Sequence, residues 1–272
     1  MYNTYEDYVA SGEFDDGQLE EIYIGFSDRL PLNAIKMYAQ PEFDKYQMDT
    51  LRRGFTLHHC PRRLMTYVAN PELDSSQMSE LIAAINHNVP AEVLELATNP
   101  AFDRDQMRQI IIAGCDPDIS IDNVRIFATP EFNFDQMYCA RTALEDMVIS
   151  DEDFKEYTKP EYPAPMLRTL YLALERDELT AAIPKFLELC NTHYVENFTQ
   201  ERFGYLLGFI AGGVPDDAIE YLFFSNQFSQ NQLYEIYFGL HGGLSWDQVK
   251  TYASPKIPAY EMKEIRGELL EG

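Results

Sequence analysis

Apolar and polar positions follow one recurring phrase along this chain. An apolar residue precedes a capping residue, two polar positions, a glutamine and a second apolar residue, as in YAQPEFDKYQM (Tyr38 to Met48), YVANPELDSSQM, LATNPAFDRDQM and FATPEFNFDQM. The residues that close the phrase are Leu19, Met48, Met78, Met107, Met137, Met166, Phe203, Leu233 and Met262, at intervals of 29, 30, 29, 30, 29, 37, 30 and 29. Self-similarity at such a period marks a stack of supersecondary units. The spacing predicts an all-α solenoid of about nine helix-hairpin repeats of 29–30 residues, forming one continuous domain over residues 1–272.

Each phrase is a helix start. An Asp followed three residues later by Gln is a capping box, in which each side chain satisfies a backbone donor of the other. Asp15 with Gln18, Asp44 with Gln47, Asp74 with Gln77 and Asp103 with Gln106 fit, and Asn133 with Gln136 and Ser229 with Gln232 write the box in other residue types. Phe14, Phe43, Leu73 and Phe102 before the caps can pack on Leu19, Met48, Met78 and Met107 as hydrophobic staples.

Upstream, Pro41, Pro71, Pro100, Pro130, Pro160 and Pro255 end the preceding helix, because proline forces the residue before it out of helical conformation. A second start signal follows most closing residues: Pro31, Pro61, Pro90, Ser120, Ser150, Pro215 and Ser245, with proline expected in a first turn and serine at a cap. Each unit then reads as a helix of about 12 residues and a second of about 10, ordinary lengths for short helices. Gly25, Gly54, Ala84, Ala113, Ala143 and Gly239, six places after the closing residue, would let helices approach closely. The 37-residue interval makes residues 160–203 irregular and predicts a longer loop or broken helix near LCNTHYVENFT, Leu189 to Thr199.

The phrase YAQPEFDKYQM, with EMKEIRGELLEG at the C-terminus, resembles a group of uncharacterised bacterial proteins built from tandem copies of Tyr-Ala-x-Pro-Glu-Phe-Asp-x-x-Gln-Met-x-Glu-Ile-Arg. The resemblance covers roughly residues 8–140 and 220–268 and is poor over 160–215, where Pro163 and Pro165 stand in place of Asp and Gln. A more distant likeness is to leucine-rich-variant and HEAT-like repeats. These resemblances imply a helical solenoid and carry no chemistry.

Composition narrows the function. Twenty-one Lys and Arg against 45 Asp and Glu give a net charge of −24, which argues against direct contact with nucleic acid or an anionic membrane, since both are recognised through cations. The N-terminal stretch has neither the basic region nor the apolar run of a signal peptide or membrane span. Cys60, Cys115, Cys139 and Cys190 lack metal-type spacing and read as reduced thiols of a cytoplasmic protein. His58, His59 and Cys60 in HHCPRR, with His87 and Cys115 in the matching loops, read as polar loop residues rather than a zinc site, which would need four convergent ligands. Lys45, Arg52, Arg53, Arg62 and Arg63 form a local basic stretch, read as a solvated face. No cofactor is expected, and no phosphate loop or nucleophile motif is present.

The expectation is therefore a non-enzymatic scaffold that binds a protein or peptide, with an acidic nucleic-acid mimic as the alternative. Aligning the second helices on their starts gives a column of Asn33, Arg63, Glu92, Asp122, Glu152, Asp217 and Asp247. Its acidic members would suit a basic segment, although first-turn acids also stabilise their own helices. Trp246, the only tryptophan, is a further contact candidate because tryptophan is enriched at binding hot spots.

Overall fold

A computed structural model describes residues 2–271. All regular structure among them is helical, and it forms two compact units, Met1–Arg141 and Thr142–Gly272. In the first unit α1 (Tyr5–Ser11) precedes α2 (Asp16–Ser27), α3 (Leu32–Tyr38), α4 (Lys45–Thr56) and α5 (Arg62–Val68). There follow α6 (Ser75–Asn86), α7 (Ala91–Ala97), α8 (Arg104–Cys115), α9 (Ile121–Phe127) and α10 (Phe134–Asp146), within which the division falls. The second unit holds α11 (Asp151–Tyr157), α12 (Ala164–Leu174), α13 (Asp177–Thr180), α14 (Ile183–Thr192), α15 (Gln200–Ala211), α16 (Asp216–Phe224), α17 (Gln230–His241), α18 (Trp246–Val249) and α19 (Ala259–Glu271).

The long helices of the first unit, α2, α4, α6 and α8, each pack on the next in the series, as do α12, α15, α17 and α19 in the second. The short helices lie against them. Each unit thus has the neighbour-on-neighbour order of an α-solenoid.

Every DxxQ phrase starts a helix. Asp44 accepts from the Gln47 backbone N–H at 2.8 Å while Gln47 Oε1 accepts from the Asp44 N–H at 2.7 Å, and the boxes at Asp15, Asp74, Asp103 and Ser229 close in the same way. The staple residues Phe43, Leu73 and Phe102 are buried along with Met48, Met78 and Met107.

The glutamines do more than cap. Gln47 Nε2 donates to the carbonyls of Pro71 and Leu73 at 3.0 and 2.6 Å, in the phrase that leads into the next long helix. Gln18 reaches Pro41 and Phe43, Gln77 reaches Pro100 and Phe102, Gln106 reaches Phe132, and in the second unit Gln232 reaches Pro255 and Ile257. Each amide thereby joins two repeats while remaining nearly fully buried, and both its nitrogen and its oxygen find partners, as a buried polar group requires.

Three expectations change. The short helices α3, α5, α7, α9 and α11 have 7 residues, not about ten. Pro31, Pro61, Pro90 and Pro215 stand at the N-cap rather than in the first turn; Pro31 has φ −55° and ψ 137°, and its carbonyl accepts the first helical bond from Ala34 at 2.8 Å. The irregular repeat changes only in part: α14 has 10 residues and runs through Leu189 to Thr192, but the non-helical stretch 193–199 follows it as expected, and the extra four-residue α13 occupies the connector before it. Pro184 falls in the first turn of α14, where a missing N–H costs no bond.

The small-residue positions are tighter than close helix approach alone demands. A Cβ on Gly25 would lie 1.8 Å from Tyr38 Oη, and one on Gly239 would lie 1.9 Å from Tyr252 Oη. Both tyrosines are buried, and each hydroxyl donates to a backbone carbonyl of the long helix it crosses, Glu21 at 3.3 Å and Glu235 at 3.4 Å. Burial raises both phenol pKa values, that of Tyr252 to about 12, so the hydroxyls stay protonated donors.

Candidate functional site

A second polar series joins the long helices on the side of Glu21. Glu21 pairs with Arg52 at 2.8 Å, Gln109 accepts from Arg141 at 2.8 Å, and in the second unit Glu235 pairs with Arg266 at 3.0 Å. Glu80 instead takes Arg108 at 2.8 Å and Arg104 at 3.1 Å. Burial opposes the charge on Glu80, but the two guanidiniums outweigh it and hold its carboxyl below the ordinary value. These groups are committed to holding neighbouring helices together.

The basic stretch is divided by the same bonds. Arg52 is held by Glu21 and Asp49, and Arg53 by Asp49 at 2.9 Å, whereas Arg62 and Arg63 stand exposed at the start of α5. Arg63 lines a shallow cleft with Leu64, Tyr67 and Asn88.

The acidic column lies on the short helices. Glu92 and Asp122 both bind Arg125, Asp122 at 2.8 Å, and Asp247 binds Lys250. Glu152 and Asp217 are exposed in the first turns of α11 and α16. Glu92 and Asp122 belong to the first unit, and Glu152, Asp217 and Asp247 to the second.

Reactive groups are few. His58 and His87 line one cleft of about 380 Å³ with Asp49 and Arg53 in the first unit, while Cys60 is buried beside it and its Sγ donates to Asn86 Oδ1 at 3.4 Å. Among the described residues no three His, Cys, Asp or Glu side chains converge as metal ligands, and no disulfide joins the cysteines. Burial raises the thiol pKa of Cys60 and Cys115 and pushes that of Cys190 up to about 12, the opposite of what a nucleophilic thiolate needs. Among the described residues no helix is long and apolar enough to cross a membrane.

A more extended concavity lies in the second unit. Two clefts, of about 500 and 360 Å³, share Arg176, Leu179 and Tyr237 and run together as one groove along α15. One wall is α13, the helix that the irregular repeat adds, with Leu172 of α12 beyond it. The opposite wall is aromatic: Tyr237 lies 5.0 Å from Tyr205 and stacks on His241 at 5.7 Å with an interplanar angle of 8°. Trp246, at the start of α18, closes one end and is half-buried against the core. The floor includes bare main chain, because α15 presents Gly204 and Gly208 there, with Gly212 at its C-cap.

No family model, curated protein or solved structure matches the chain.

Of the binding candidates singled out in the sequence, Trp246 alone lies in this groove, next to the cap residue Ser245. Tyr205, Tyr237 and the glycines of α15 escaped notice. A usable signal existed: Gly204 and Gly208 sit one turn apart inside a helix, where glycine is disfavoured. Arg202, close by, occupies the position that Gln holds elsewhere; its Nη2 donates to the Phe223 carbonyl at 2.7 Å and its guanidinium lies 4.5 Å from the Phe198 ring. Burial lowers its pKa, yet it keeps the glutamine's task of joining one repeat to the next.

Proposed function

We propose that the chain is a non-catalytic helical-repeat protein that binds a protein or peptide, with the groove along α15 as its binding face. What carries this reading is the merging of two clefts over shared residues into one open, aromatic-walled channel with bare main chain in its floor. Such a shape suits an extended segment better than a compact metabolite, and stacked helix pairs present extended surfaces of this kind. The buried glutamines and ion pairs are engaged in joining repeats, which supports binding over chemistry. A cytoplasmic setting accords with four cysteines without a disulfide.

The net charge of −24 also favours a second reading, an acidic mimic that occupies a nucleic-acid-binding protein. Selection of a displayed random-peptide library on the full chain, with duplex DNA as competitor, tests both. The peptide-binding reading expects an enriched sequence family that DNA does not displace. Absence of any enriched family, together with capture of nucleic-acid-binding proteins, would replace it with the mimic.

A further inference from the structure

Gly208 has an internal explanation. A Cβ there would lie 2.5 Å from Tyr237 Cε2, so glycine lets the tyrosine ring rest on α15. Gly204, one turn earlier on the same groove floor, has none: an added Cβ would meet nothing within 4 Å. Glycine inside a helix is less stable than alanine there, so the unit's own fold gives no reason for this residue. What glycine does provide is a stretch of bare helix that a second backbone can approach closely.

The walls specify chemistry. Tyr237 stands in both clefts, Tyr205 and His241 flank it, and Trp246 lies at the end. Aromatic faces attract cations that come within about 6 Å of the ring centre. Glu178 and Glu201 line the groove against the single cation Arg176. The surrounding unit carries 22 Asp and Glu against ten Lys and Arg, and a field of that sign concentrates and steers cationic ligands.

From this we propose that the groove takes a cationic peptide segment whose backbone passes over Gly204 while arginine or lysine side chains lie on Tyr237 and Trp246 between Glu178 and Glu201. The inference rests on the peptide-binding reading and names the occupant. An anionic or purely apolar segment would forgo the aromatic cation contacts and meet the acidic field unaided.

Trp246 is the only tryptophan, so its emission reports the groove directly. The full chain is titrated with a capped peptide of alternating arginine and leucine, and separately with one of alternating glutamate and leucine. Saturable change with the arginine peptide alone is expected, with affinity falling as salt is raised. Gly204→Leu, which adds a side chain into open space, should weaken binding by about tenfold or more without lowering the melting temperature. Glu178→Gln combined with Glu201→Gln, which alters no buried group, should weaken binding and flatten its salt dependence.

Equal binding of the glutamate peptide, or unchanged binding in both variants, overturns the proposal. If library-selected peptides are blocked by Gly204→Leu but carry no positive charge, the occupant is wrong and the peptide-binding reading survives. If no peptide of either charge and no library member binds, both fall.

Discussion

Gln47 donates through Nε2 to the Leu73 carbonyl at 2.6 Å while its Oε1 accepts from the backbone of Asp44. One amide thus completes the start of its own helix and fastens the approach to the next. Gln47→Ala should cost roughly 2–4 kcal/mol, because two backbone carbonyls lose their donor and a cap is weakened together. Asp44→Ala, which removes only the cap, should cost about 1 kcal/mol. Gln47→Glu keeps the capping oxygen but turns an acceptor toward the carbonyls, so its loss should shrink as the new carboxyl protonates in acid. Urea unfolding of the three variants checks the ranking; equal losses for Asp44→Ala and Gln47→Ala would deny the joint any energetic role.

Gly25 and Tyr38 make a second coupled pair. Gly25→Ala should destabilise by roughly 1–3 kcal/mol or more through overpacking, since the new Cβ would lie 1.8 Å from Tyr38 Oη. Tyr38→Phe removes that oxygen, and the next nearest ring atom is 3.1 Å away. The double variant should therefore be more stable than the sum of the single losses predicts, a coupling that a double-mutant cycle by urea denaturation measures.

Glu80 supplies a pH dependence. Its folded pKa lies below the ordinary 4.5, so the unfolded chain binds the proton more readily, and this contribution is present above about pH 4.5 and lost as pH falls through the folded value. Arg104 and Arg108 are half exposed, which limits the effect to roughly 1 kcal/mol or less. Comparing the wild type with Glu80→Gln across this range isolates it from the other carboxylates. The gap between the two should close in acid, and a constant gap would assign the loss to shape instead of charge.

Gly204→Ala and Gly208→Ala should move stability in opposite directions. The first adds a methyl in open space and should gain about 0.5–1 kcal/mol from helix propensity. The second puts a Cβ 2.5 Å from Tyr237 Cε2 and should lose more than it gains. Thermal melts of the two variants decide.

The long-helix starts were legible in the sequence because a capping box acts across three residues, and Asp44 with Gln47 or Asp103 with Gln106 carries both halves in view. The second task of the glutamines was hidden, since their acceptors are backbone carbonyls of Leu73 or Phe132, which leave no mark in residue type. One clue was available. Glutamate caps as well as glutamine but has no N–H to donate, and this position holds Gln at 18, 47, 77, 106, 136 and 232, against Pro165, Arg202 and a single glutamate, Glu261. Short-helix length was overestimated because the stop lies before the Ala-x-Pro turn, as Ala39 shows with ψ 71°. The groove was illegible for a different reason: Tyr237 and Gly208 meet from helices in successive repeats, and only the fold brings them together.

The glutamine joint addresses main chain, not particular side chains. Gln18, Gln47, Gln77 and Gln232 would find the same two carbonyls whichever copy followed, provided that a proline turn leads into its cap. Within the first unit, excising one full period and rejoining the chain at equivalent letters would keep each glutamine amide facing the carbonyls of a proline turn. Such a protein can change length by whole words while every splice reads as grammatical.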